Sequence, residues 1–300
     1  MHAAAGWARR IFPSRGRLLG YLLAALAILA WDVWRHDWRP QVEIGTAHFR
    51  IHSSATEEQT RAMGQRVEKL YAAYVEMFPD VVAATNRAGK FEMKMFKDRE
   101  EFRWCNRVRD WAEAFYRPPY SHFYWSEKEV NPYHWMLHEV VHQLNHELGY
   151  FQLAKWLDEG VAEYFSTSFL GADRLKLGVI DVNTYPVWWS DKLATSGQRE
   201  ADVANGSFIP LRTIITGKGG PDMDEAFNLY YLHWWSLAHY LFEFDKGQHR
   251  DGCRQLMREG GSLAGFEKLI GPLERIEPEW YQHIQRLKRS VANERETGAK

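Results

Sequence analysis

The chain has 300 residues, 45% of them hydrophobic and 26% charged, with a formal net charge of −1. That is enough apolar material for one large folded domain or two small ones. The near-neutral balance, without a Lys/Arg-rich run interleaved with aromatics, excludes nucleic acid as a partner.

The N-terminus differs from the rest. Arg9, Arg10, Arg15 and Arg17 precede an uncharged run from Leu18 to Trp31, which Asp32 ends. The run is shorter than the roughly 20 residues that comfortably span a bilayer and has the length of a signal-peptide core. A cleavage site needs small residues at two alternate positions, and "AILA" ending at Ala30 has the large Ile28 at one of them. The expectation is therefore an uncleaved membrane helix, a signal anchor, extended by Val33 and Trp34, with Trp31, Trp34 and Trp38 at the interface. Arginines on the N-terminal side leave residues beyond about 40 outside the cytoplasm. This predicts a single-pass inner-membrane protein with a periplasmic or otherwise extracytoplasmic domain, secreted if the segment is cleaved. Residues 1–40 carry six Arg and two Asp, or +4, which leaves −5 on the remainder. Cys105 and Cys253 can pair in an oxidising compartment or be two lone buried thiols. The 14 tryptophans cluster in "WAEAFY", "FYW", "YPVWW" and "YYLHWW", and most are assigned to the core because aromatics bury large areas.

After the linker "RHDWRPQVEIG", the alternation of "HFRIH" predicts a strand carrying Phe49 and Ile51. A helix follows from a capping box, Thr56 with Gln59, and its apolar positions from Met63 to Phe78 keep helical spacing up to Pro79. "KFEMKMF" alternates as a second strand, Asp98 caps a further helix, and "SHFYW", Ser121 to Trp125, reads as a third strand. Residues 41–132 thus form a small α+β layer behind the cytoplasmic tip and anchor of residues 1–40. A helical part follows over 133–290, with helices at His134–Leu148, Trp156–Phe169 and Leu229–Phe244 and shorter ones between Cys253 and Leu287. Residues 171–228 read as an irregular insertion and 291–300 as a frayed tail.

The chemistry centres on "HWMLHEVVHQLNHE", in which His134, His138, His142 and His146 recur every four residues. Only His138 and His142 enclose a glutamate in the HExxH arrangement, His138-Glu139-Val140-Val141-His142. Imidazoles one helical turn apart can share one zinc ion, and the intervening Glu is the base for water. Downstream, "WLDEGVAEYF" carries Glu159 and Glu163 one turn apart on an otherwise apolar helix. Glu159 suits the third ligand, and Glu163 suits a partner that fixes a ligand imidazole. His134 and His146 read as supporting or surface residues.

HExxH followed by "WLDEGVAEY" resembles the gluzincin metallopeptidases, the peptidase-MA-like group of thermolysin-type and aminopeptidase-type enzymes. "YYLHWWSLAHYLFE" is similar to the pattern of an uncharacterised bacterial family in that group, and the similarity covers residues 45–288. The resemblance implies a zincin-like α+β fold, zinc on His138, His142 and Glu159, and Glu139 as general base. It aligns Tyr231 with the first residue of the pattern Tyr-x-x-x-Trp-x-Leu-x-His, as hydrogen-bond donor to the oxyanion; Tyr230, His233, His239 and Tyr240 on the same helix compete for that role. By analogy, the strand "SHFYW" is expected to line the cleft edge and hold an extended peptide, with Phe123 and Tyr124 as substrate-binding residues. The chain departs from relatives in having Asp158 where many have a neutral residue, Glu163 in place of Asp, and no Gly-x-Met-Glu-Asn segment. The expected function is hydrolysis of peptide bonds in a peptide or protein substrate by zinc-activated water. The alternative is a non-catalytic envelope protein that binds peptide and uses zinc structurally, and hydrolysis of a non-peptide amide is also compatible with the residues.

Overall fold

A computed structural model describes residues 15–84, 89–108 and 112–298. Helix α1, Arg15–Arg35, carries the apolar run, and Leu18, Leu22, Ile28 and Leu29 are each more than half exposed. At about 1.5 Å per residue, the stretch from Leu18 to Trp31 reaches about 20 Å, against a hydrocarbon core of about 30 Å. Among the described residues, no helix is long and apolar enough to cross a membrane. Arg9 and Arg10 lie outside the described residues, as do the side chains of Val33 and Trp34. The helix end is fastened to the globular body, because Arg107 pairs with the Asp32 carboxylate and His36 stacks on Trp104 at 4.5 Å. Trp38, expected at a membrane interface, instead packs on Phe96 at 4.7 Å and donates from Nε1 to Ser54 Oγ at 3.1 Å.

Strand β1, Val42–Gly45, lies in the segment read as linker and turns back antiparallel on β2, Phe49–Ser53. Helix α2, Glu57–Met77, starts at the expected capping box and buries Met63, Val67, Leu70 and Tyr74 on the sheet. After α3, Pro79–Ala84, strand β3, Phe91–Phe96, runs parallel to β2. Asp98 caps α4, Arg99–Asn106, by accepting from Glu101 N–H. Strand β4, Phe115–Arg117, then hairpins antiparallel onto β5, Tyr120–Tyr124, which is parallel to β3. The mixed sheet has the order β1-β2-β3-β5-β4. The "SHFYW" strand is therefore internal, and β4, unforeseen because it is only three residues long, occupies the edge. This corrects the assignment of Phe123 to substrate, since Phe123 is fully buried in the main core; Tyr124 packs with Phe96 and Phe102 and lines a separate cavity beside Trp125 and Trp135.

Helix α5, His134–Glu147, packs on β5, and α6, Lys155–Ser166, packs against α5. The predicted helix to Phe169 stops at Ser166, because Ser168–Leu170 forms β6 and pairs with β7, Leu175–Ile180. The segment read as irregular thus holds β7, a 3-10 turn at Val187–Lys192, α7 at Arg199–Ala204 and α8 at Leu211–Thr216. Helix α9, Phe227–Glu243, packs along α6. Gly160 permits that approach, since a Cβ there would lie 2.8 Å from the Trp234 carbonyl oxygen. Helices α10, Arg250–Arg258, and α11, Leu263–Leu269, lead to α12, Leu273–Gly298. The tail expected to fray is helical to Gly298; Val291 is buried and Arg295 donates to the Val187 carbonyl at 2.9 Å.

One hydrophobic cluster runs from Phe49 in β2 to Val291 in α12. Cys105 and Cys253 are both free thiols. Among the described tryptophans Trp156, Trp234, Trp235 and Trp280 are buried, and Trp125 and Trp38 pack partly buried against the hydrophobic clusters. Trp135 and Trp188 instead line surface cavities.

Candidate metal centre

One turn of α5 separates His138 from His142, and their rings stand 4.7 Å apart at 76° with Nε2 atoms 3.0 Å from one another. Helix α6 brings Glu159 Oε2 to 3.4 Å from His138 Nε2 and 3.6 Å from His142 Nε2. The three side chains each offer a ligand atom within 4.8 Å of the others, a group that can hold a metal ion. Two observations fit such an ion. Glu159 Oε2 is buried with no hydrogen-bond donor, a costly state for a carboxylate oxygen. Both imidazoles also aim the same nitrogen at that oxygen, leaving a two-nitrogen, one-oxygen donor set with room for an exogenous ligand.

The far nitrogens are fixed from behind. Glu163 Oε1 lies 3.3 Å from His138 Nδ1, and Asp158 Oδ2 lies 3.0 Å from His142 Nδ1. Asp158 in turn accepts from Asn145 Nδ2 at 2.9 Å, and Asn145 Oδ1 accepts from the Tyr74 hydroxyl at 2.8 Å. A carboxylate acceptor requires Nδ1–H on each ring, which frees Nε2 for a metal. Burial opposes charge on both imidazoles, but the carboxylates outweigh it: His138 is raised to about 10 by Glu163 and Glu159, and His142 is raised well above its usual value by Asp158 and Glu159. Burial likewise opposes charge on Glu159, yet the two imidazoles hold it well below the carboxylate range. The role of Asp158 was missed, because sequence does not reveal which of two adjacent carboxylates turns toward which imidazole.

Glu139 is buried beside this group. Burial pushes its carboxyl pKa up against the pull of His138 and His142, and the Tyr116 backbone N–H of β4 hydrogen-bonds it. Tyr231 brings its ring to 6.4 Å from that of His138. Burial, then the Glu159 and Glu163 carboxylates, push its hydroxyl pKa far up, so it remains a proton donor in hydrogen bonds. Its competitors are occupied elsewhere. The Tyr230 hydroxyl donates to the Pro221 carbonyl at 2.9 Å, His233 Nε2 accepts from Ile209 N–H at 2.8 Å, His239 contacts His283 at 3.1 Å, and Tyr240 donates to Glu279 at 2.8 Å. The outer histidines do not join the group: His134 Nδ1 bonds the Asn131 carbonyl at 2.8 Å and His146 lies 3.1 Å from the Tyr116 hydroxyl.

Two cavities, about 580 Å³ and 470 Å³, share Ala114, His138, Glu139 and Tyr231. They meet at these residues as two arms of one groove; His138 lines both, while His142 and Glu159 line the smaller, which runs past Phe115 and Tyr116 of β4. The larger arm is walled by Trp135, Tyr185 and Phe227, and Tyr185 lies 5.5 Å from both Trp135 and Tyr231. Tyr185 stands in the segment read as irregular, where no periodicity singled it out.

No curated protein matches the chain. Residues 135–258 match the family described as "Protein of unknown function (DUF1570)". That stretch contains His138, Glu139, His142, Glu159, Glu163 and Tyr231, so the matched region and the groove chemistry coincide.

Proposed function

We propose that the protein is a zinc-dependent metallopeptidase of gluzincin type that hydrolyses peptide bonds in a peptide or protein chain lying in the groove. Glu139 carries the reading: a buried carboxylate, adjacent in sequence to one ligand and outside the donor set, lines both arms where a scissile bond would lie. His138, His142 and Glu159 would hold the zinc ion, with Glu163 and Asp158 orienting the imidazoles. The bound ion supplies Lewis-acid polarisation of the carbonyl and acidifies water. Glu139 accepts the proton of the attacking water at a carboxylate oxygen and delivers it to the leaving nitrogen. Tyr231 donates a hydrogen bond to the carbonyl oxygen as negative charge develops there. The edge strand β4 gives an extended peptide a strand to pair beside.

The alternative of a peptide-binding protein with structural zinc is less well supported, since structural sites use four protein ligands and this group has three that open on a groove. Helix α1, with its exposed leucines, is proposed to hold the chain at the inner membrane with the groove on the extracytoplasmic side. The test is metal analysis of the full chain combined with cleavage of a peptide library. About one zinc per chain and cleavage abolished by Glu139→Gln with zinc retained supports the reading; zinc without cleavage of any peptide favours the binding protein.

A further inference from the structure

The larger arm of the groove has a one-sided charge. Glu113, Glu139, Glu163 and Asp224 line it, without any Lys or Arg among the described residues. Three of these carboxylates are committed. Glu113 is paired with Arg99 and accepts from the Tyr124 hydroxyl at 2.5 Å, Glu163 faces His138 Nδ1, and Glu139 is the base of the proposed reaction. Asp224 is exposed in the turn before α9, its own N–H is bonded to Asp222 Oδ1 at 2.8 Å, and its carboxylate forms no ion pair among the described residues. The nearby Lys155 turns to Met223 Sδ at 3.0 Å and to the Trp234 ring.

The walls suit the same charge. Phe227 lies 4.5 Å from Tyr231 and Tyr185 lies 5.5 Å from it, centroid to centroid. Aromatic faces are negative and attract ammonium and guanidinium groups, while the alkyl stem of a long cationic side chain covers apolar surface. Tyr231 and Phe227 are one helical turn apart, about 5–6 Å, a distance that a four-carbon stem spans from the metal-proximal end toward Asp224.

We propose that this arm is a subsite for a lysine or arginine side chain of the substrate, with Asp224 as the pairing carboxylate and Tyr185, Phe227 and Tyr231 as its walls. The proposal rests on the peptidase reading for its substrate class, and the experiment separates the two. Alanine-based decapeptides carrying one lysine, norleucine or glutamate at each position in turn are offered to the zinc-loaded full chain, and cleavage is mapped by mass. The same peptides are titrated against the Glu139→Gln chain to measure binding without turnover. At one fixed offset from the cut, lysine should be preferred to norleucine by about tenfold in kcat/KM. Asp224→Asn should bring that ratio close to one, and Asp224→Lys should shift preference to glutamate. Tyr185→Leu keeps apolar bulk but removes the ring face, and should lower the lysine ratio independently. Cleavage with no lysine preference, or with one that both Asp224 variants leave intact, overturns the subsite while the peptidase stands. Asp224-dependent lysine binding without cleavage keeps the subsite and overturns the peptidase. Absence of both overturns the subsite.

Discussion

Gly160 of α6 lies against the carbonyl oxygen of Trp234 in α9, with no space for a side chain between them. The contact sets the distance between the helix that carries Glu159 and Glu163 and the helix that carries Tyr231. Gly160→Ala should destabilise the fold by about 1–3 kcal/mol through overpacking, despite alanine's higher helix propensity. Denaturant melts of the two chains measure it, and unchanged stability would mean that the helices part without cost.

Metal affinity should depend on the orienting carboxylates as well as on the ligands. His138→Ala, His142→Ala and Glu159→Ala each remove a donor and should abolish stoichiometric zinc binding. Asp158→Ala and Glu163→Ala should weaken it by about 10 to 100-fold, measured by competition with a chelating dye. His134→Ala and His146→Ala should leave affinity unchanged, although loss of the buried His134 should lower the melting temperature.

The two proton-handling groups separate by their kinetic signatures. Glu139→Gln should eliminate turnover with zinc retained. Tyr231→Phe should slow the chemical step by about 10² to 10³ with little change in peptide binding, because its hydrogen bond strengthens only as charge develops. Single-turnover rates and equilibrium binding distinguish that result from a loss of substrate affinity.

The helical motifs were legible because a period of 3.6 fixes which side chains share a face. HExxH and the Glu159/Glu163 pair therefore translated directly into the donor group, as did the caps at Thr56 and Asp98. Strand β4 has too few residues to alternate, and its edge position depends on pairing with β5, a tertiary fact. Tyr185 reaches the groove through a non-periodic segment. Asp158 was visible as a departure, but its role depends on a rotamer and on Asn145 behind it. The cavity-lining Trp135 and Trp188 look like core residues in sequence, since hydrophobicity does not say which ring faces are covered.

Buried neutral histidines away from the metal group give the fold an acid limit. Burial lowers His233 and His239 to about 4 and His122 and His283 to about 3. Their unfolded counterparts titrate near 6.5. Below that pH the unfolded chain takes up protons that the folded chain refuses, so stability is complete above about pH 6.5 and falls progressively toward pH 4. Each histidine contributes at most about 1.4 kcal/mol per pH unit in that window. Denaturant melts between pH 7.5 and 5 should show the decline, and His283→Gln should make it shallower.

The hydrogen bond from Tyr74 to Asn145 crosses from the helix of the first sheet layer to the helix of the ligands, 71 residues later. Through Asn145 and Asp158 it reaches His142, so the orientation of a ligand depends on whether α2 has docked. By linkage, anything that binds the assembled site tightens that docking, and a chain whose first layer is undocked holds the ion less well. Under the proposed function, metal loading would be ordered in time: the helices can form early, but the site would reach full affinity only after the two parts of the molecule close on one another.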